Sequence, residues 1–301
     1  MNHRRKGSGK PGPTEESLPS AGHIDFAPAL KIARIINRQD QKVALAVRSQ
    51  LKSIAQATEL AHEALSQGGR LFYVGAGSSG RLGFLDAVEC PPTFGVSPEM
   101  VQGIIAGGKK ALWRSVEGEE DDRRAGGRAV RQAAVQSKDI VCGISASGKT
   151  PFVQGALAEA KKRKARCILI SCHPSPEIAP LAGVVINPVV GPEVIAGSTR
   201  MKAGTATKMI LNMISTGVMT RLGMVYGNLM VNVRPASAKL RERAERIIMS
   251  VLGCSRNRAR RLLRSSKDRV KVAIVRGAKG CKVKEAERLL REKRGILGEV
   301  L

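Results

Sequence analysis

Two turns rich in serine and glycine, Gly75-Ala-Gly-Ser-Ser-Gly80 and Ser145-Ala-Ser-Gly-Lys-Thr150, each follow a short apolar run and lead into a segment of helical character. A strand that ends in such a turn and enters a helix aims free backbone N–H groups at one point, which suits a phosphate. The backbone at Gly77 and the hydroxyls of Ser78, Ser79, Ser145, Ser147 and Thr150 supply the donors. Two such turns in one unit suggest a ligand with a phosphate and a polar body, such as a sugar phosphate.

Other side chains near these turns can move protons or add contacts. Glu89, in Glu89-Cys-Pro-Pro-Thr93, closes the helix that begins at the first turn. A carboxylate there meets the unfavourable end of the helix dipole, which suits a general acid; a helix-terminal residue before a proline stop is the equal alternative. The acidic run Glu117-Gly-Glu-Glu-Asp-Asp122 includes Glu120. Composition alone reads it as helix N-terminal charge. It lacks histidine or cysteine neighbours and the ligand spacing of a calcium loop, so no metal is expected. In the polar loop 191–205, Ser198 and Thr199 are expected to cap the next helix. Glu193 and Lys202 are available to sugar hydroxyls or phosphate. His173 reads as a loop histidine. The first turn also matches G-x-G-x-x-G, but the next strand runs into Ala106-Gly-Gly-Lys-Lys110 without the acidic residue a dinucleotide site needs.

These residues need a frame, and the chain alternates. Strands are expected at 71–74, 101–106, 140–144, 167–171 and 184–190, and helices at 80–88, 120–136, 152–163 and 202–221. Short apolar strands alternating with helices imply an α/β fold with a doubly wound parallel sheet, whose ligands bind beyond the strand C-termini, where both turns fall. Helices over 26–37 and 43–65 precede the sheet. Residues 1–20, without apolar periodicity, read as a disordered basic tail, and 21–238 as the sheet unit. Residues 239–301 read as a small helical domain of segments 240–252, 255–263, 268–275 and 282–292, broken at Gly253, Gly277 and Gly280.

Composition narrows the classes. The chain has 301 residues, 43% hydrophobic but only 3% aromatic, so its core must be aliphatic. The net charge of +26 raises a nucleic-acid partner. The cations crowd the first dozen positions, 161–166 and the stretch after Lys239; these clusters lie outside the two turns and are not interleaved with aromatics, so a solvated basic surface is the preferred reading. Six cysteines form no C-x-x-C pair and read as reduced thiols of a cytoplasmic protein. No apolar run approaches the roughly 18 residues of a membrane span.

At these motifs the sequence closely resembles the N-acetylmuramic acid 6-phosphate etherases of the sugar isomerase (SIS) superfamily. The resemblance rests on 75–83, Glu89-Cys-Pro-Pro-Thr-Phe-Gly95, 104–108, Val116-Glu-Gly118 with Glu120-Asp121, Ser145-Ala-Ser-Gly148, Gly197-Ser-Thr-Arg-Met-Lys-Ala-Gly-Thr205 and 226–231. It implies a SIS-type fold, a homodimer with sites near the subunit boundary, and no cofactor. It also implies cleavage of the C3 lactyl ether to N-acetylglucosamine 6-phosphate and D-lactate, in recovery of cell-wall amino sugars. The family motifs place an acid at Glu89 and a base at Glu120, with the serines and Thr150 holding phosphate and sugar. The sequence departs from the family at Glu119, Lys149, His173 and Asn232–Ser237. A sugar-phosphate-sensing regulator, a sugar-phosphate isomerase and a nucleic-acid binder acting through the C-terminal helices are the rival readings; the glutamate pair favours catalysis.

Overall fold

The computed structural model describes residues 12–301. Positions 1–11 of the expected tail lie outside the described residues. Positions 12–20 differ from a free tail: Thr14 is buried, and its carbonyl accepts a hydrogen bond from Gly197 N at 2.8 Å.

Helices α1 (Ala29–Arg48) and α2 (Leu51–Ser66) come first. The polar stretch 38–42, which reads as a gap in the sequence, continues α1. Gln39 is buried there because its Oε1 accepts from Lys202 Nζ at 3.3 Å. The break falls instead at Ser49 and Gln50. The Ser49 hydroxyl donates to the Ala46 carbonyl, and Gln50 Oε1 accepts from Asn187 N.

Five parallel strands follow: β1 (Leu71–Gly75), β2 (Val101–Ile105), β3 (Ile140–Ile144), β4 (Arg166–Ile170) and β5 (Val184–Ile186). They are ordered β2-β1-β3-β4-β5. Between and after them run α3 (Gly77–Phe94), α4 (Arg123–Gln132), α5 (Pro151–Lys162) and α6 (Lys202–Arg221). Side chains alternate across the sheet. Leu71, Tyr73, Cys142 and Ile168 join a core with α1, α2, α3 and α6; Phe72, Val74, Val141 and Leu169 join another with α4 and α5. Covering on both faces makes β1 and β3 fully buried, the pattern of a doubly wound α/β sheet.

Helix α3 does not stop before Pro91-Pro92. It continues through both prolines to Phe94 and closes at Gly95, which has left-handed backbone and donates to the Pro91 carbonyl at 2.9 Å. Each proline removes one intrahelical donor, but both lie in the helix's last turn, where that loss is tolerable. Asn232 Nδ2 donates to the Phe94 carbonyl at 2.7 Å and ties this end down.

Helices α7 (Ala238–Leu252), α8 (Arg256–Ser265), α9 (Val270–Lys279) and α10 (Val283–Glu292) pack about their own apolar cluster, with Ile248, Leu263, Ala273 and Ile274 at its centre. Gly253 and Gly280 end α7 and α9. Gly277, expected as a break, lies inside α9, where a Cβ would come within 2.3 Å of Leu252 Cδ1. It is a site of close packing, not a chain break. Among the described residues no helix is long and apolar enough to cross a membrane.

One lysine in this unit gives a pH-dependent expectation. Burial pulls the Lys271 ammonium down to about 8, while its Nζ donates to the Gly295 carbonyl at 2.9 Å. The unfolded chain holds that proton up to about pH 10.4, so unfolding takes up a proton between these values. Stability therefore rises as pH is raised from about 8 to about 10.4, by on the order of 2 kcal/mol. Urea unfolding across this range checks it: Lys271→Met should flatten the rise, and an unchanged slope would contradict the assignment.

Candidate active site

The two serine and glycine turns emerge side by side at the C-terminal ends of neighbouring strands β1 and β3. Gly77 opens α3 with φ +50°, and Gly148 turns the second loop with φ +71°. Side chains rarely adopt this backbone, so glycine is needed at both positions. In the second turn, Ser145 is buried. Its hydroxyl accepts from Gly148 N and Thr150 N at 3.1 and 3.3 Å and lies 2.8 Å from Thr150 Oγ1. Ser145 and Thr150 thus shape the turn from within. Ser78, Ser79 and Ser147 are half-buried, and their hydroxyls form no hydrogen bond among the described residues. These three are the donors left for a ligand.

Glu120 stands on a short 3-10 turn, Glu119–Asp121, beyond β2. It lines a cavity of about 170 Å³ together with Gly77, Arg81, Ser115, Glu117 and Gly118. The acidic run therefore reaches the mouth of the first turn. Asp122 alone serves as expected helix N-terminal charge. It caps α4 by accepting from Ala125 N, and with Arg128 this holds its carboxyl below the usual range. Arg81 braces the neighbouring loop, its guanidinium donating to the carbonyls of Ala111 and Arg114 at 2.9 Å each.

Glu89 lies elsewhere. Because α3 runs on to Phe94, Glu89 is within the helix and not at its end, so the helix-dipole argument for its acidity does not apply. It follows Gly77 by twelve residues, about 18 Å along the axis at 1.5 Å per residue. It is exposed on the outward side of α3, beside Leu85 and Val88. A single chain thus keeps Glu89 toward the N-terminal ends of the strands, whereas Glu120 and both turns lie beyond their C-terminal ends.

Three further expectations change. Glu193 and Lys202 are buried (0% and 2% exposed) and bonded internally, so they lie beneath the loop instead of facing a ligand. The Glu193 carboxylate accepts from Lys202 N and Ala203 N at 3.0 and 2.9 Å and caps α6. That is the task expected of Ser198 and Thr199, whose hydroxyls form no hydrogen bond among the described residues. Lys202 Nζ donates to the Val190 carbonyl and to Gln39; burial lowers its pKa, partly offset by Glu193.

A second recess, of about 520 Å³, adjoins the first across Arg81 and is lined by Ser78, Arg200, Lys208 and Asn212 among others. Lys208 Nζ pairs with buried Asp86 at 3.1 Å, and Asp86 also accepts from the Tyr73 hydroxyl. Sequence reasoning passes over Arg81, Arg200 and Lys208. The available signal is Lys208 and Asn212 at helical spacing within a largely apolar α6.

Comparison with known proteins gives this arrangement its setting. Residues 52–161 match the family model described as "Glucokinase regulatory protein N-terminal SIS domain". The phosphoheptose isomerase of Francisella tularensis aligns with 64% of this chain and 100% of its own, at 17% identity and a TM-score of 0.49. The N-acetylmuramic acid 6-phosphate etherase of Aeromonas hydrophila subsp. hydrophila is 47% identical over 95% of this chain and 96% of its own. That of Picosynechococcus sp. is 49% identical over 96% of each. With this identity sustained across nearly the whole length of both chains, the protein belongs to the N-acetylmuramic acid 6-phosphate etherase family.

Proposed function

We propose that this enzyme cleaves the C3 ether of N-acetylmuramic acid 6-phosphate, a carbon–oxygen lyase step followed by addition of water, and releases D-lactate. The observation that carries the reading is the cavity joining Glu120 to Gly77 at the start of α3. The Glu120 carboxylate there shares a cavity with the start of α3, whose first N–H groups have no intrahelical partner. Phosphate sits against the N-terminus of α3 and the hydroxyls of Ser78, Ser79 and Ser147. In the open-chain sugar the aldehyde acidifies the hydrogen on C2. Glu120 removes that proton, the C3–O bond breaks, and Glu89 protonates the departing lactate oxygen. Water then adds at C3 of the unsaturated aldehyde, and a proton returns to C2. No step calls for a metal or organic cofactor.

Glu89 can take part only from a second copy, because within one chain it is held about 18 Å along α3 from Gly77. We therefore propose a homodimer that brings the Glu89 face of α3 in one subunit to the turns of the other. Exposed apolar residues support that contact: Leu85 and Val88 on α3 and Met213 on α6 are 43%, 47% and 37% exposed. All six cysteines are free thiols, consistent with a reducing cytoplasm, where we place the enzyme in amino-sugar recovery.

The test is incubation of the purified chain with N-acetylmuramic acid 6-phosphate and assay of D-lactate. Stoichiometric D-lactate and N-acetylglucosamine 6-phosphate are expected. Ligand binding without lactate would instead indicate a sugar-phosphate sensor.

A further inference from the structure

The recess beside Arg81 shares Ser78 with the phosphate site, and the rest of its lining has no part in the proton transfers above. Its lining includes three cations, Arg81, Arg200 and Lys208, and no carboxylate. Two of the three are already engaged: Arg81 with the carbonyls of Ala111 and Arg114, and Lys208 with Asp86. Arg200 is exposed and forms none of the ion pairs found among the described residues. The loop presenting it is fixed on both sides. Gly197 N is bonded to the Thr14 carbonyl before it, and Lys202 N and Ala203 N to the Glu193 carboxylate after it. This explains why the N-terminal segment packs against the loop, and why Glu193 and Lys202 are buried under it. The backbone that carries Arg200 is thus pinned, while its guanidinium is left without a partner among the described residues and open to a planar anion.

We propose that this recess is a carboxylate subsite for the D-lactyl group, with Arg200 the cation that recognises it. The inference rests on the reading of the substrate given above. A phosphate seated at the start of α3 lies against Ser78, which also lines the recess, and Arg81 stands between the two cavities, so the sugar body of the ligand borders the recess. The lactyl group carries a carboxylate and a methyl on one carbon. The carboxylate meets the two-pronged Arg200 guanidinium, and the methyl meets Leu82 and Met209 on the same wall. Arg200 therefore sets the preference for a lactyl-bearing sugar phosphate over one lacking that group, and it orients the leaving group for protonation.

The experiment compares wild type with Arg200→Met on the substrate and on its neutral lactamide, in which the carboxylate is a carboxamide. Binding of N-acetylglucosamine 6-phosphate, which lacks the lactyl group, is measured alongside. Wild type is expected to favour the acid over the amide by about 10- to 100-fold in kcat/KM, the worth of a charge-assisted hydrogen bond. Arg200→Met should lose that preference and leave the Kd for N-acetylglucosamine 6-phosphate within about threefold, with Arg200→Lys falling between. A preference that survives in Arg200→Met overturns the assignment. So does an equal loss of affinity for N-acetylglucosamine 6-phosphate, which would make Arg200 a phosphate ligand. A wild type that yields no D-lactate would overturn the parent reading, and this one with it.

Discussion

Glu89→Gln should lower kcat/KM for D-lactate release by about 10²- to 10⁴-fold, the usual worth of one positioned proton transfer. Within one chain the side chain is exposed and has no hydrogen bond among the described residues, and glutamine keeps its size, so the change should leave thermal stability within about 0.5 kcal/mol of wild type. The roles of the two glutamates separate by isotope exchange. In D2O, with the product N-acetylglucosamine 6-phosphate, a chain lacking only the acid should still exchange the C2 hydrogen. Glu120→Gln, lacking the base, should not. If Glu89→Gln lost exchange together with lactate release, Glu89 would itself be the base and the division of labour proposed here would be wrong.

Gly126→Ala should destabilise the fold by roughly 3 kcal/mol, at the upper end of overpacking costs. A Cβ on Gly126 would lie 1.9 Å from the Phe152 carbonyl oxygen, and one on Gly155 would lie 1.8 Å from that of Arg123. Helices α4 and α5 therefore touch backbone to backbone, with no side chain that can give way. For a chain of 301 residues the loss corresponds to a Tm lower by about 5 °C. Phe152 is the second residue of α5, directly after the Ser145–Thr150 turn. The same strain should weaken sugar-phosphate binding. Gly127→Ala is the control. Its nearest neighbours would be 3.5 Å away or more, so it should be neutral or stabilise by about 0.5–1 kcal/mol. Equal melting points for the two variants would refute the close-contact account.

Much of this architecture is legible from residue order, for physical reasons. Strands buried on both faces are short unbroken apolar runs, so Ile140–Ile144 can be read directly, and the polar turns behind β1 and β3 mark the C-terminal ends of the strands, where doubly wound sheets bind ligands. The parts that resist reading are those where tertiary partners override local signals. Pro91 and Pro92 look like a stop, yet the helix ends after them, which moves Glu89 away from the helix terminus. Glu193 and Lys202 have the chemistry of ligands, but each is satisfied internally, and no local pattern tells a buried charge from an exposed one. Gly126-Gly127 lowers helix propensity, although the first of the pair is what lets α4 approach α5. The resemblance supplies both glutamates, but not the distance along α3 on which the proposed shared site rests.

That separation is tested by pairing defects. Glu89→Gln and Glu120→Gln chains carrying different tags are co-expressed, and the mixed dimer is isolated and assayed for D-lactate. If each site takes Glu89 from one subunit and Glu120 from the other, one site of the mixed dimer carries both substitutions and its companion carries none. The mixed dimer should then recover about half the wild-type rate, while either parent dimer stays nearly inactive. A mixed dimer as inactive as its parents would show that both glutamates act from the same chain, and would contradict the shared site.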